Sequence, residues 1–131
     1  MSPFLRAYFS RLSWTGEPDV SIDTLRELHL QHNSAIPFEN LDVLLPREIH
    51  LDDGALEEKL IAARRGGGYC FEQNGLLERA LREIGFNVRS LLGRVVLANP
   101  AADARRVLTV CCWWRWRGSA GSPTSASAAR R

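Results

Sequence analysis

The chain has 131 residues, enough for one compact domain and too few for two ordinary ones. An apolar share of 45% suits a soluble globular protein, and seventeen basic against fifteen acidic residues, a formal charge of +2, exclude a nucleic-acid binder built on net charge. Three cysteines, one alone and two adjacent, cannot form a disulfide framework, so a reducing compartment is expected. Arg6 and Arg11 interrupt the apolar residues of the N-terminus, leaving no signal-peptide core. No run approaches the roughly 20 apolar residues of a membrane span, and a cytoplasmic location follows. The Cys and His residues form no recognisable ligand pattern, so no metal is implied. The charge balance hides two unlike parts: residues 1–103 hold all fifteen acids, whereas 104–131 hold six arginines, three of the four tryptophans, two of the three cysteines and no acid.

Ser2 followed by Pro3 gives a cap and a first helical position, and Phe4, Leu5, Tyr8, Phe9 and Leu12 recur near the helical period, which predicts a short amphipathic helix. After the turn-like stretch from Thr15 to Asp19, Ser21 caps a second helix with Ile22, Leu25, Leu28 and His29 as its candidate buried face, ending near Asn33–Ser34. Ala35 to Pro46, with Pro37 and Pro46 at its ends, reads as ordered and extended. Asp52–Asp53 caps a third helix with Leu56, Leu60 and Ile61 as its buried stripe, running to about Arg65. Gly66-Gly67-Gly68 breaks it, and a fourth helix spans Cys70 to Ile84 before Gly85. From Asn87 to Leu97 the pattern turns β-like. A lone strand is marginal in water, and nothing after Pro100 is expected to pair with it.

Cys70 falls at a helix N-terminus, where unpaired backbone N–H groups favour the thiolate, the nucleophilic form of the side chain. The glycines before it allow the backbone to approach an acyl group closely. A small buried hydrophobe between Tyr69 and Phe71 is the plain alternative. The surrounding residues decide for the first reading. Arg65-Gly66-Gly67-Gly68-Tyr69-Cys70-Phe71-Glu72-Gln73-Asn74-Gly75-Leu76 resembles the active-site motif of the arylamine N-acetyltransferases, and Ile36-Pro37-Phe38-Glu39-Asn40-Leu41-Asp42 resembles that family's other N-terminal signature. The similarity runs from about Phe4 to Leu97 and is nearest to enterobacterial members.

The resemblance implies a ping-pong acetyl transfer, in which the cysteine accepts acetyl from acetyl-CoA and passes it to an arylamine, arylhydrazine or N-hydroxyarylamine. Carried over by position, Cys70 is the nucleophile, Phe38 helps to form the aromatic-substrate pocket, and Glu39 and Arg65 form a structural ion pair. Gly67, Gly68 and Asn74 are further motif positions. From the residues alone, Phe38 would be ordinary core and the two charges solvated surface. The implied fold is mainly α: the helical bundle domain of that family over residues 1–86, then the first strands of its β-barrel domain over 87–100. Its third domain is expected to be absent and an apolar surface exposed.

Two departures from the family stand out. The family nucleophile works with a His and an Asp, in an Arg-Thr-His and an Asp-Val-Gly-Phe-Gly-Gly segment, but the corresponding stretches here read Arg106-Val107-Leu108-Thr109 and Ser122-Pro123-Thr124-Ser125. His29, His32 and His50 all precede Cys70, the first two as face residues of the second helix and the third in a loop. The codons offer an explanation. Read from the third base of each codon, Cys111-Cys112-Trp113-Trp114 must give Leu-Leu-Val. With allowed synonymous choices Arg106–Val110 gives Arg-Thr-His-Arg and Ser122–Ala129 gives Ala-Asp-Val-Gly-Phe-Gly-Gly. Residues 101–131 are therefore expected to be an out-of-frame, disordered tail ended by an early stop, with little or no turnover in the chain as it stands. An inactive helical fragment is the alternative reading. Binding of nucleic acid or membrane by Trp113-Trp114-Arg115-Trp116-Arg117 is disfavoured on the same ground. The second departure is the third glycine before Tyr69, where the family has two.

Overall fold

A computed structural model describes residues 1–63, 66–94, 108–116 and 119–120 of the chain. Helix α1 spans Pro3–Leu12, with Ser2 Oγ accepting the Leu5 amide at 3.1 Å and Pro3 in the first turn, where its missing N–H is not needed. Phe4, Leu5, Tyr8, Phe9 and Leu12 are all buried, as the spacing predicts. Each such side chain removed from water contributes roughly 1.5–3 kcal/mol before the entropy of ordering it is subtracted. Helix α2 spans Ile22–Ala35 and is capped by Ser21. Its buried face is Thr24, Leu25, Leu28 and His32, not Ile22 and His29. Ile22 is 38% exposed at the first turn, and His32 completes the stripe three, four and seven residues along.

The stretch from Ala35 to Pro46 is not extended throughout. Ile36 is extended and Phe38 bridges to Gly68, but Asn40 leaves the extended region at ψ 24° and Leu41–Leu44 forms a helical turn, α3, that buries none of its residues. Helix α4 spans Asp53–Glu57 and is capped by Asp52, whose carboxylate accepts the Ala55 amide at 3.0 Å. It continues as a π turn over Glu58–Ala62 instead of running on as α-helix, and Leu56, Leu60 and Ile61 still reach the core. Helix α5 spans Cys70–Ile84 and ends at Gly85, whose φ of 112° lets its own amide and that of Phe86 return to Leu81. Leu76, Leu77, Ala80 and Leu81 place α5 at the centre of the core. Arg79 links three helices: its guanidinium lies 3.7 Å from the Phe4 ring centroid and pairs with Glu57 at 3.1 Å.

Strand β1 spans Val88–Arg94 and pairs antiparallel with β2, Leu108–Trp116, in a register that sets Val88 opposite Trp114 and Arg94 opposite Leu108. A two-residue strand β3, Ser119–Ala120, extends the order to β1-β2-β3. This corrects the expectation that nothing after Pro100 pairs with the first strand, and it replaces disorder with strand at 108–116 and 119–120. The physical reason is composition: Leu-Thr-Val-Cys-Cys-Trp-Trp-Arg-Trp is rich in β-branched and aromatic residues, which suit a pleated ladder whatever their origin. The remainder of the 101–131 tail, and Val95 to Leu97 of the expected strand, lie outside the described residues. Among the described residues no helix is long and apolar enough to cross a membrane.

Candidate active site

Two segments far apart in sequence meet side by side. Phe38 and Gly68 form an isolated parallel bridge: the Glu39 amide donates to the Gly68 carbonyl at 3.1 Å, and the Gly68 amide to the Pro37 carbonyl at 3.2 Å. The glycines make this approach possible. Gly66 has a φ of 66° and lies against the Glu39 carboxylate. A Cβ on Gly67 would sit 1.6 Å from the Pro37 oxygen, and one on Gly68 would sit 2.9 Å from Glu72 Cβ. All three glycines of the run are thus demanded by the local backbone, including the one that departs from the family pattern.

Cys70 is the first residue of α5, a half-buried free thiol. Tyr69 and Phe71 on either side stack on each other with ring centroids 5.5 Å apart. Burial, and then the neighbouring Cys70 and Glu72, push the Tyr69 phenol above its ordinary value, so its hydroxyl keeps its proton. Asn74 is fully buried, and its Nδ2 donates at 2.8 Å to the Cys70 carbonyl one turn back. Phe38 is 53% exposed, so it is neither core nor enclosed. Glu39 is half-buried against Gly66. Arg65, its expected partner, lies outside the described residues.

Sequence reasoning missed two sets of residues that support this arrangement. In the first, Glu72 is almost wholly buried. One of its carboxylate oxygens accepts the Tyr69 amide at 3.0 Å, and the other lies 2.6 Å from Lys59 Nζ, which also meets Asp42 at 2.7 Å. Burial works against the charge on Lys59, but its hydrogen bonds to Asp42 and Glu72 outweigh it and hold the amine above its ordinary value. The bond from Lys59 holds Asp42 below the usual carboxylate range. Lys59 thus ties the π turn, α3 and the start of α5. Its signal was the Glu at the third position of α5, which reads as the acidic half of a capping box. The second set is His32 with Tyr8 and Gln73. Desolvation, reinforced by the charges of His29 and Arg11 and opposed by the hydrogen bond to Gln73, lowers His32 to about 4, so it is neutral at pH 7.

None of the three histidines is hydrogen-bonded to Cys70 among the described residues. Both ring nitrogens of His32 are taken by Tyr8 and Gln73, His29 meets Asn33, and His50 meets Glu48 at 3.8 Å. No group of Cys, His, Asp and Glu among the described residues could hold a metal ion.

The sequence pattern of the N-acetyltransferase family matches residues 21–109. The chain is 71% identical over 102 residues to an arylamine N-acetyltransferase of Escherichia coli, covering 78% of this chain and 36% of that protein. The solved structure of the Salmonella typhimurium arylamine N-acetyltransferase superposes with a TM-score of 0.76 at 60% identity, over 87% of this chain and 41% of that one. That of the Mycobacterium marinum enzyme in complex with CoA gives 0.80 at 38% identity, over 93% and 45%. The chain therefore spans well under half the length of the relatives it matches. With both signatures meeting at Gly68 and the pattern matched across most of its length, the chain belongs to the arylamine N-acetyltransferase family.

Proposed function

We propose that this chain carries the acyl-accepting half of an acetyl-CoA-dependent arylamine N-acetyltransferase site, with Cys70 as nucleophile. The observation that supports it is the seating of a free thiol at the start of a long helix, beside a backbone-only loop of three glycines. In the first step the Cys70 sulfur attacks the acetyl carbonyl of acetyl-CoA, the bond from that carbon to the CoA sulfur breaks, and CoA leaves as a thiolate that takes up a proton. In the second, the amine nitrogen of an arylamine or arylhydrazine, or the hydroxyl oxygen of an N-hydroxyarylamine, attacks the acetyl-cysteine carbonyl, the bond from that carbon to Cys70 Sγ breaks, and the proton given up by the attacking atom restores the Cys70 thiol. Phe38, half exposed on the segment paired to the loop, supplies an aromatic surface for the acceptor. Glu39, against Gly66, is one half of the ion pair with Arg65 that the resemblance implies for steadying the site. The protein acts in the cytoplasm, where acetyl-CoA is available.

A second reading, an inactive helical unit, is favoured by one observation: among the described residues no histidine is bonded to Cys70, and none follows it in these 131 residues. Loss of a triad base and its orienting acid lowers turnover by several powers of ten. We infer that residues from about Ala101 onward are translated out of frame, which would account for the missing His and Asp segments together. Codons in the coding DNA incompatible with Arg-Thr-His and Asp-Val-Gly-Phe-Gly-Gly in the shifted frame would exclude that origin.

Intact-mass spectrometry of the protein with and without acetyl-CoA separates the two functional readings. A single acetyl adduct that disappears in Cys70→Ser is expected if the thiol is activated within this chain. Equal labelling of wild type and Cys70→Ser, or none, would leave the inactive reading standing.

A further inference from the structure

A buried hydrogen-bond chain runs from α1 to the glycine loop. Tyr8 and His32 are fully enclosed and Gln73 is 2% exposed. Tyr8 Oη lies 2.8 Å from His32 Nδ1, and His32 Nε2 lies 2.7 Å from Gln73 Oε1. Gln73 Nε2 donates to the Ile36 carbonyl at 3.1 Å and the Pro37 carbonyl at 2.8 Å. The far end fixes the polarity of the whole chain. Two carbonyls can only accept, so the Gln73 amide must turn its NH2 towards them and its oxygen towards His32. His32 Nε2 then carries the hydrogen, and Nδ1 accepts from the tyrosine. One tautomer and one amide orientation satisfy every member.

The chain ends where the two signature segments meet. The Pro37 carbonyl accepts both Gln73 Nε2 and the Gly68 amide, so a single oxygen gathers α5, the glycine loop and the Phe38 segment. Gln73 stands one turn after Cys70 on the same helix, and a helical turn transmits position rigidly. Apolar side chains of similar size would fill the same space without needing partners. A fully matched polar network adds something they cannot, a unique relative placement of the segments it joins.

We propose that His32 and Gln73 are positioning residues for the acyl-transfer site, holding the Pro37–Glu39 segment against the glycine loop and the first turn of α5 so that Phe38 and Cys70 keep one relative placement. The proposal rests on the reading of Cys70 as acyl acceptor, and its first test does not.

Amide hydrogen exchange on the 131-residue protein compares wild type with three variants. Gln73→Glu keeps an acceptor for His32 but removes the NH2 that holds the two carbonyls. His32→Leu removes the donor, and His32→Gln restores an amide N–H near the position of Nε2. The Glu39 and Gly68 amides are expected to exchange at least about tenfold faster in Gln73→Glu and His32→Leu, with α1 unchanged and His32→Gln returning towards wild type. Unchanged protection in Gln73→Glu, acceleration of all amides together, or a His32→Gln variant no better than His32→Leu would overturn the proposal. The rate of Cys70 acetylation by acetyl-CoA, read by intact mass, is expected to fall in the same order. Rates that stay level while protection is lost would also overturn it. A wild type that forms no adduct would remove the acyl-acceptor reading and leave exchange to decide the placement of the segment.

Discussion

At the scale of single residues, the burial of His32 makes stability depend on pH in a definite direction. Its value is about 4 in the folded chain and 6.5 when unfolded, because an enclosed imidazole near Arg11 and His29 resists a proton. The neutral form is therefore the one that folding favours. Its contribution is fully present above about pH 6.5 and is lost as pH falls towards 4, where about 3 kcal/mol has gone. Carboxylates held low, such as Asp42 by its bond from Lys59 and Asp19 by Ser21 and Thr24, act in the same sense but at more acid pH. Urea unfolding followed from pH 7.5 to 4.5 is expected to show a falling midpoint in wild type and a flatter one in His32→Gln. A wild-type midpoint that stays level across that window would mean that His32 accepts a proton where it sits.

At the scale of elements, the helices were legible because caps and periodicity agree. Ser2, Ser21 and Asp52 each precede an apolar stripe and each accepts a first-turn amide. What was not legible is what depends on tertiary partners. The π turn over Glu58–Ala62 has no sequence mark, and Phe38 reads as core until the backbone shows it 53% exposed. At the candidate site the motif identified Cys70, Phe38 and the glycines. The Lys59–Glu72 and His32–Gln73 contacts join residues 13 and 41 apart, beyond any local pattern. The glycine loop gives a sharp test of the junction. Gly67→Ala places a methyl group within 1.6 Å of the Pro37 carbonyl, backbone against backbone, so the bridge must open. The cost should exceed the roughly 1–3 kcal/mol of ordinary overpacking. Gly54→Ala in α4 meets only Asp52 Oδ1 at 3.4 Å and replaces a poor helix former, so it should stabilise by up to about 1 kcal/mol. Thermal melts of the pair should move in opposite directions. A Gly67→Ala protein melting with wild type would show that the two segments are not held in this contact.

At the scale of the molecule, the core and the surface next to the site are built on different terms. The core closes on α5, with α1, α2 and the π turn around it. Beside it, Leu41, Leu44 and Leu45 are 54%, 67% and 56% exposed, and α3 buries none of its four residues. Spaced at i, i+3 and i+4, the three leucines share one side of an ordered turn and face water just after the exposed Phe38, a surface of the kind that associates with another. Since these side chains contribute little to the core, replacing each should change folding by no more than the roughly 0.5 kcal/mol usual for a surface substitution. The triple variant Leu41→Ser, Leu44→Ser, Leu45→Ser is expected to melt close to wild type while losing most concentration-dependent light scattering and binding of an apolar dye. A variant that scatters as much as wild type would place the sticky surface elsewhere. One that melts far lower would mean that α3 is covered by other parts of the chain and belongs to the core after all.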